Sequence, residues 1–76
     1  MTRAVAGKVS SQQAPQTARH LVPGAKVTET ERDREHGRAV WEVELHKQHH
    51  EWEVTIDAAT GKVLSIHHDT GMEDED

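Results

Sequence analysis

The sequence predicts an α+β domain in which one N-terminal helix packs on a four-stranded antiparallel meander sheet. Two observations carry this expectation. The spacing of apolar residues changes near Lys26 from three-to-four to two, the switch from helix to strand. The turn residues after that point are placed so that the strands they join align their apolar positions on one face. With 76 residues and 33% of them apolar, the chain has material for a single core.

Residues 1–9 show no period and are expected to be a loose, flexible segment. Ser10 and Ser11 then offer capping hydroxyls, and Ala14, Ala18, Leu21 and Val22 recur at helical spacing as the face of a short helix. Pro15 belongs near the first turn, because deeper in a helix it costs about 3 kcal/mol. Pro23-Gly24 ends the helix. A first strand is expected over about residues 26–35 and a second over about 38–46, joined by the two-residue turn His36-Gly37. Val40-Trp41-Glu42-Val43-Glu44-Leu45 and Glu51-Trp52-Glu53-Val54-Thr55-Ile56 alternate acid and apolar residues, the pattern of strands covered on one side only. Gln48-His49 is the second turn. Ala59-Thr60-Gly61 is read as a three-residue loop leading to Lys62-Val63-Leu64-Ser65-Ile66. The folded domain thus spans residues 10–68, and residues 69–76 form a flexible acidic tail.

These turns set the register. Leu45 faces Trp52, Val43 faces Val54, Trp41 faces Ile56, and the third turn puts Ile56 opposite Leu64 and Val54 opposite Ile66. The helix covers this face, and with no Phe or Tyr the core draws much of its buried area from Trp41 and Trp52. The other face receives Glu29 beside Glu44 beside Glu53, and Glu31 beside Glu42, with Asp33, Glu51 and Asp57 nearby. Like charges directly opposite one another destabilise a sheet by a few tenths of a kcal/mol each. The acids Glu29, Glu31, Glu42, Glu44, Glu51 and Glu53 are read first as a solvated open face that discourages aggregation, and in the sharper reading as the docking surface for a basic or cationic partner. Seven histidines are a second anomaly. Register places His46 next to Glu51 and His67 next to Glu53, which makes His46, His67, Glu51 and Glu53 an alternative divalent-metal ligand set. Their spacings match no metal motif, so no cofactor and no dedicated metal site are expected.

Charge narrows the function classes. Residues 1–28 carry four bases and no acid, residues 29–57 nine acids against four bases, and residues 58–76 five acids against one base, for a net −5. An acidic body repels phosphate, which argues against nucleic acid and against direct insertion into an anionic membrane. The absence of cysteine removes disulfide frameworks and thiolate zinc sites. No apolar run approaches the ~20 residues needed to span a bilayer, and the first residues lack a signal-peptide core. The glycines are isolated and form no phosphate loop, and no serine has a base and an orienting group around it. The chain is not expected to be an enzyme.

One resemblance covers about residues 10–67. The runs Val22-Pro23-Gly24-Ala25-Lys26-Val27-Thr28, Gly37-Arg38-Ala39-Val40-Trp41-Glu42-Val43-Glu44-Leu45, Glu51-Trp52-Glu53-Val54 and Ile56-Asp57-Ala58-Ala59-Thr60-Gly61-Lys62-Val63-Leu64 resemble a PepSY domain. The resemblance implies a helix on an antiparallel sheet and no catalytic residues. It implies a module of secreted or cell-envelope proteins that restrains a peptidase, with a metallopeptidase as a partner, and it sets Asp57, Thr60 and Gly61 in the closing motif as turn residues. The alternatives to this reading are a His- and acid-rich divalent-metal-binding module and a structural domain that forms a homodimer through an edge strand. Three departures from the family pattern stand out. Gln12, Gln13 and Pro15 replace small apolar residues in the helix, Gln48-His49 replaces a glycine-containing turn, and Thr30 and Arg32 occupy core-facing positions of the first strand.

Overall fold

A computed structural model describes residues 9–70, and the expectations for residues 1–8 and 71–76 lie outside the described residues. The chain runs as helix α1 (Gln13–Leu21) and strands β1 (Lys26–Glu35), β2 (Arg38–Lys47), β3 (His50–Asp57) and β4 (Val63–Asp69). The strands form one antiparallel sheet in the order β1-β2-β3-β4, so the fold is α+β with the helix preceding a meander.

The helix begins with a reciprocal cap. Ser10 Oγ accepts hydrogen bonds from the backbone N–H groups of Gln12 (3.2 Å) and Gln13 (3.1 Å), and Gln13 Oε1 accepts from the Ser10 N–H (2.9 Å). This arrangement, Ser-x-x-Gln, satisfies N–H groups that a helix start leaves without partners and keeps Pro15 in the first turn. The other end closes in a turn where the Ala25 N–H donates to the Val22 carbonyl (3.2 Å) with Gly24 at φ 86°. Ala14, Ala18 and Val22 face the core. Leu21 does not: it is 43% exposed, because the chain leaves helical geometry at Val22 (φ −128°, ψ 76°), and Val22 takes the inward position.

Pairing between β2 and β3 follows the expected register throughout, with Leu45 opposite Trp52, Val43 opposite Val54 and Trp41 opposite Ile56. Two irregularities interrupt the rest. Thr28 is an extra residue between the Val27–Leu45 and Glu29–Glu44 pairs. In β4, Ile56 lies opposite Val63 rather than Leu64, while Thr55 pairs with Ser65 and Val54 with Ile66, so Leu64 is the bulged residue. The third loop explains the shift. The Asp57 N–H donates to the Lys62 carbonyl (2.8 Å), which leaves four residues between them instead of three. The extra residue then needed to restore the sheet's register appears as a bulge. Val63 packs against the core in consequence, and Leu64 is 37% exposed.

The buried cluster is aliphatic: Ala14, Ala18, Val22, Val43, Leu45, Val54 and Ile56. Trp41 and Trp52 flank it half-buried, contrary to the expectation that they dominate it. Trp41 is held from two sides. Its indole N–H donates to the Val9 carbonyl (2.8 Å), and the Arg32 guanidinium carbon lies 5.1 Å from its ring centroid. Arg32 thus covers with its side chain a position where an aliphatic residue would be buried. Val9, expected in the loose segment, is tied down by this bond and by its own N–H to the Ala58 carbonyl (2.8 Å). Asp69, expected in the tail, is the last residue of β4 and pairs with Glu51.

Candidate functional site

Alternation along β1–β4 sends Glu29, Glu31, Glu42, Glu44, Glu51 and Glu53 to the face of the sheet away from the helix. Cross-strand pairs set Glu31 against Glu42, and Glu29, Glu44, Glu53 and His67 in one row across four strands. Glu29, Glu31, Glu42, Glu44 and Glu53 line one shallow groove. Glu44, Glu51, Glu53, His67, His68 and Asp69 line an adjoining cleft of about 270 Å³. The sheet therefore brings all six acids onto one surface.

Several contacts fix this surface. Thr28, the bulged residue of β1, donates through its hydroxyl to the Glu44 carbonyl (3.3 Å) and carboxylate (3.4 Å). His46 Nε2 lies 3.6 Å from Glu51 Oε2 across the β2–β3 pair. Burial pushes the Glu42 carboxyl up to about 7, helped by a hydrogen bond with Glu35 and by the charges of Glu53, Asp33 and Glu35. Burial, reinforced by the like charges around it, thus shifts one member towards its neutral form.

The metal-ligand alternative changes its membership. The donor atoms that fall within 4.8 Å of one another are those of Glu44, His46 and Glu51, whereas Glu53 and His67 line the adjoining cleft. Two other histidines pair on the helix-side face. His50 Nδ1 and His68 Nε2 are 2.9 Å apart, and both rings lie near-parallel to the Trp52 indole, at centroid distances of 5.7 and 5.0 Å. Sequence register brings His49, His50 and His68 close at the strand ends beside the outer face, without setting His50 and His68 as a pair on the helix-side face. The signal for that pair was present in the register, since His50 stands two residues before Trp52 on the same face and His68 is the cross-strand partner of Trp52.

The closing motif is a cap for the β3–β4 loop. Asp57 Oδ1 accepts from the N–H groups of Ala59 (2.8 Å) and Thr60 (3.3 Å), and Oδ2 accepts from Arg38 (3.0 Å). The Ala59 N–H above all, then Thr60 and the Arg38 guanidinium, hold the Asp57 carboxyl below its ordinary range against the opposing effect of burial. Thr60 Oγ1 accepts from the Lys62 N–H (3.1 Å), and Gly61 takes φ 82°. A side chain at Gly61 would face both a left-handed backbone and the Val9 methyl, 3.3 Å from where its Cβ would sit. Asp57, Thr60 and Gly61 thus hold the loop that generates the Leu64 bulge.

A helix-backed antiparallel sheet with an acid-lined opposite face defines a small α+β module whose distinctive surface is a charged sheet face. The chain belongs to the PepSY family: the family model, described as peptidase propeptide and YPEB domain, matches residues 8–67. No curated protein and no solved structure shows a significant match to the chain. PepSY domains are propeptide-like modules typical of secreted and envelope proteins. No helix among the described residues is long and apolar enough to cross a membrane.

Proposed function

We propose that this chain is a non-catalytic regulatory module that restrains a secreted or cell-envelope peptidase by protein–protein contact through the acidic sheet face, a reading supported by its family description as a peptidase propeptide and YPEB domain. The observation that carries the reading is the row Glu29–Glu44–Glu53 with Glu31–Glu42 beside it, a set of like charges whose repulsion a basic partner surface relieves. An isolated sheet gains nothing from that row, whereas a complementary surface gains association rate and specificity from it. Among the described residues, His46 stands at Glu51 and Arg38 is engaged by Asp57, so neither lies within the row itself.

The test uses the chain as bait for secreted and envelope proteins of its source cell, at low and moderate salt, with captured proteins identified and assayed for peptidase activity. The expected result is a peptidase that is inhibited by the chain and released as salt rises. Recovery of no peptidase, from a fraction shown to contain active ones, contradicts the reading and favours a structural, self-associating domain.

A further inference from the structure

We infer that Glu44, His46 and Glu51 form a binding site for a divalent transition-metal ion of the zinc class, on the acidic face at the β2–β3 end. This goes beyond the peptidase reading and does not depend on it. One imidazole nitrogen and two carboxylate oxygens lie within 4.8 Å of one another there, with His46 Nε2 3.6 Å from Glu51 Oε2.

The backbone fixes this trio. His46 and Glu51 are cross-strand partners next to the tight Gln48-His49 turn, and Glu44 lies two residues before His46 on the same face of β2. A hairpin holds such positions more firmly than a loop does. The side chains of His46 and Glu51 are 41% and 37% exposed, so they are free to close the remaining distance around an ion. Metal–nitrogen and metal–oxygen bonds of ~2.0–2.2 Å need that modest contraction. Glu44 and Glu51 also line the cleft that holds Glu53 and His67, so Glu53 or water is at hand to complete the shell. An imidazole in the set favours zinc, nickel or copper over calcium and magnesium, which take oxygen ligands.

The chemistry separates this cluster from two neighbours. Asp33, Glu35 and Glu42 also gather, but they are carboxylates only, and Glu42 is hydrogen-bonded to Glu35. His50 and His68 present nitrogens 2.9 Å apart with ring centroids 5.0 Å apart and planes 18° apart, which is a side-by-side N–H···N bond. That bond engages one nitrogen of each ring, and among the described residues the pair belongs to no group of three close His, Cys, Asp or Glu donors. At Glu44, His46 and Glu51 an ion also relieves the repulsion between acids that the pairing of Glu44 with Glu53 imposes.

The experiment titrates the untagged full chain with zinc chloride by calorimetry, with calcium chloride in parallel, and follows the histidine ring resonances by NMR. The expected result is one zinc per chain at micromolar affinity, no comparable calcium binding, and shifts at His46. His46→Ala weakens zinc by about tenfold or more and Glu51→Gln by a smaller factor, while His50→Ala leaves it unchanged. Circular dichroism confirms that each variant is folded. Millimolar zinc binding, equal affinity for calcium, or zinc affinity that survives His46→Ala or falls with His50→Ala overturns the inference.

Discussion

The two faces of the sheet are built by the same strands from alternate residues, and they place opposite demands on the chain. On the helix side, Val43, Leu45, Val54 and Ile56 are fully buried against Ala14, Ala18 and Val22. On the other side, the intervening Glu42, Glu44 and Glu53 stand against one another and against Glu29 and Glu31. The first face lowers the free energy of folding by removing apolar surface from water; the second raises it by gathering like charge. One strand thus carries both the cohesion of the domain and its acidic face. A small chain can afford the second only if the first is well packed, and here the first is a thin aliphatic layer with both tryptophans at its margin.

The sharpest way to break the contrast is from the helix side. Leu45→Ala is expected to cost about 2–5 kcal/mol through lost burial and the cavity left behind, much of what a domain this size has. Chemical denaturation measures it, and a cost below 1 kcal/mol would show that the layer is not the source of cohesion. The next effect concerns the loop that anchors both faces. Asp57→Ala removes the acceptor for Ala59, Thr60 and Arg38 and is expected to lower the melting temperature by several degrees. The Asp57 carboxyl is depressed from 3.8 in the fold, so its contribution is present above that pH and is lost as pH falls through the lower folded value. The variant should therefore show a shallower acid limb in its stability profile.

A smaller change sits at the second turn, where Gln48 holds φ 59°. Gln48→Gly is expected to raise stability by about 0.5–1 kcal/mol by removing left-handed strain, and a decrease would show that the Gln48 side chain contributes something the backbone argument omits. A further effect isolates the acid face. Glu42 is raised from 4.5 to about 7, so the fold binds a proton there that the unfolded chain does not. Its contribution is fully present below pH 4.5 and is lost as pH rises through about 7. Glu42→Gln should flatten that part of the profile; an unchanged slope would place the proton elsewhere.

Much of this architecture was legible because alternation and turn residues are local signals that agree with one another. The six-residue acid–apolar runs and His36-Gly37 specify β2, β3 and the first hairpin, and from these the row of glutamates follows by register alone. The misreadings depend on context that periodicity does not carry: what a side chain does to the backbone, where a helix ends and what packs on it. Asp57 grips two N–H groups and sets a four-residue loop, and the Leu64 bulge follows; periodicity carries no trace of it. Leu21 fits the helical face by spacing but sits where the helix ends. The tryptophans were assigned to the core by size, whereas the helix is faced with alanines and leaves them at the edge. At the candidate metal site, His46 with Glu51 followed from register, but the closure by Glu44 in place of Glu53 and His67 depends on side-chain direction.

The central claim is that the acidic face is the docking surface. It is tested most directly by measuring the affinity of the captured peptidase for the chain carrying Glu42→Lys, Glu44→Lys and Glu53→Lys together, with the fold verified by circular dichroism. The account predicts that association is abolished and that the wild-type complex weakens steeply with added salt. Affinity and salt dependence unchanged in the folded triple variant would contradict it and move the contact to an edge strand.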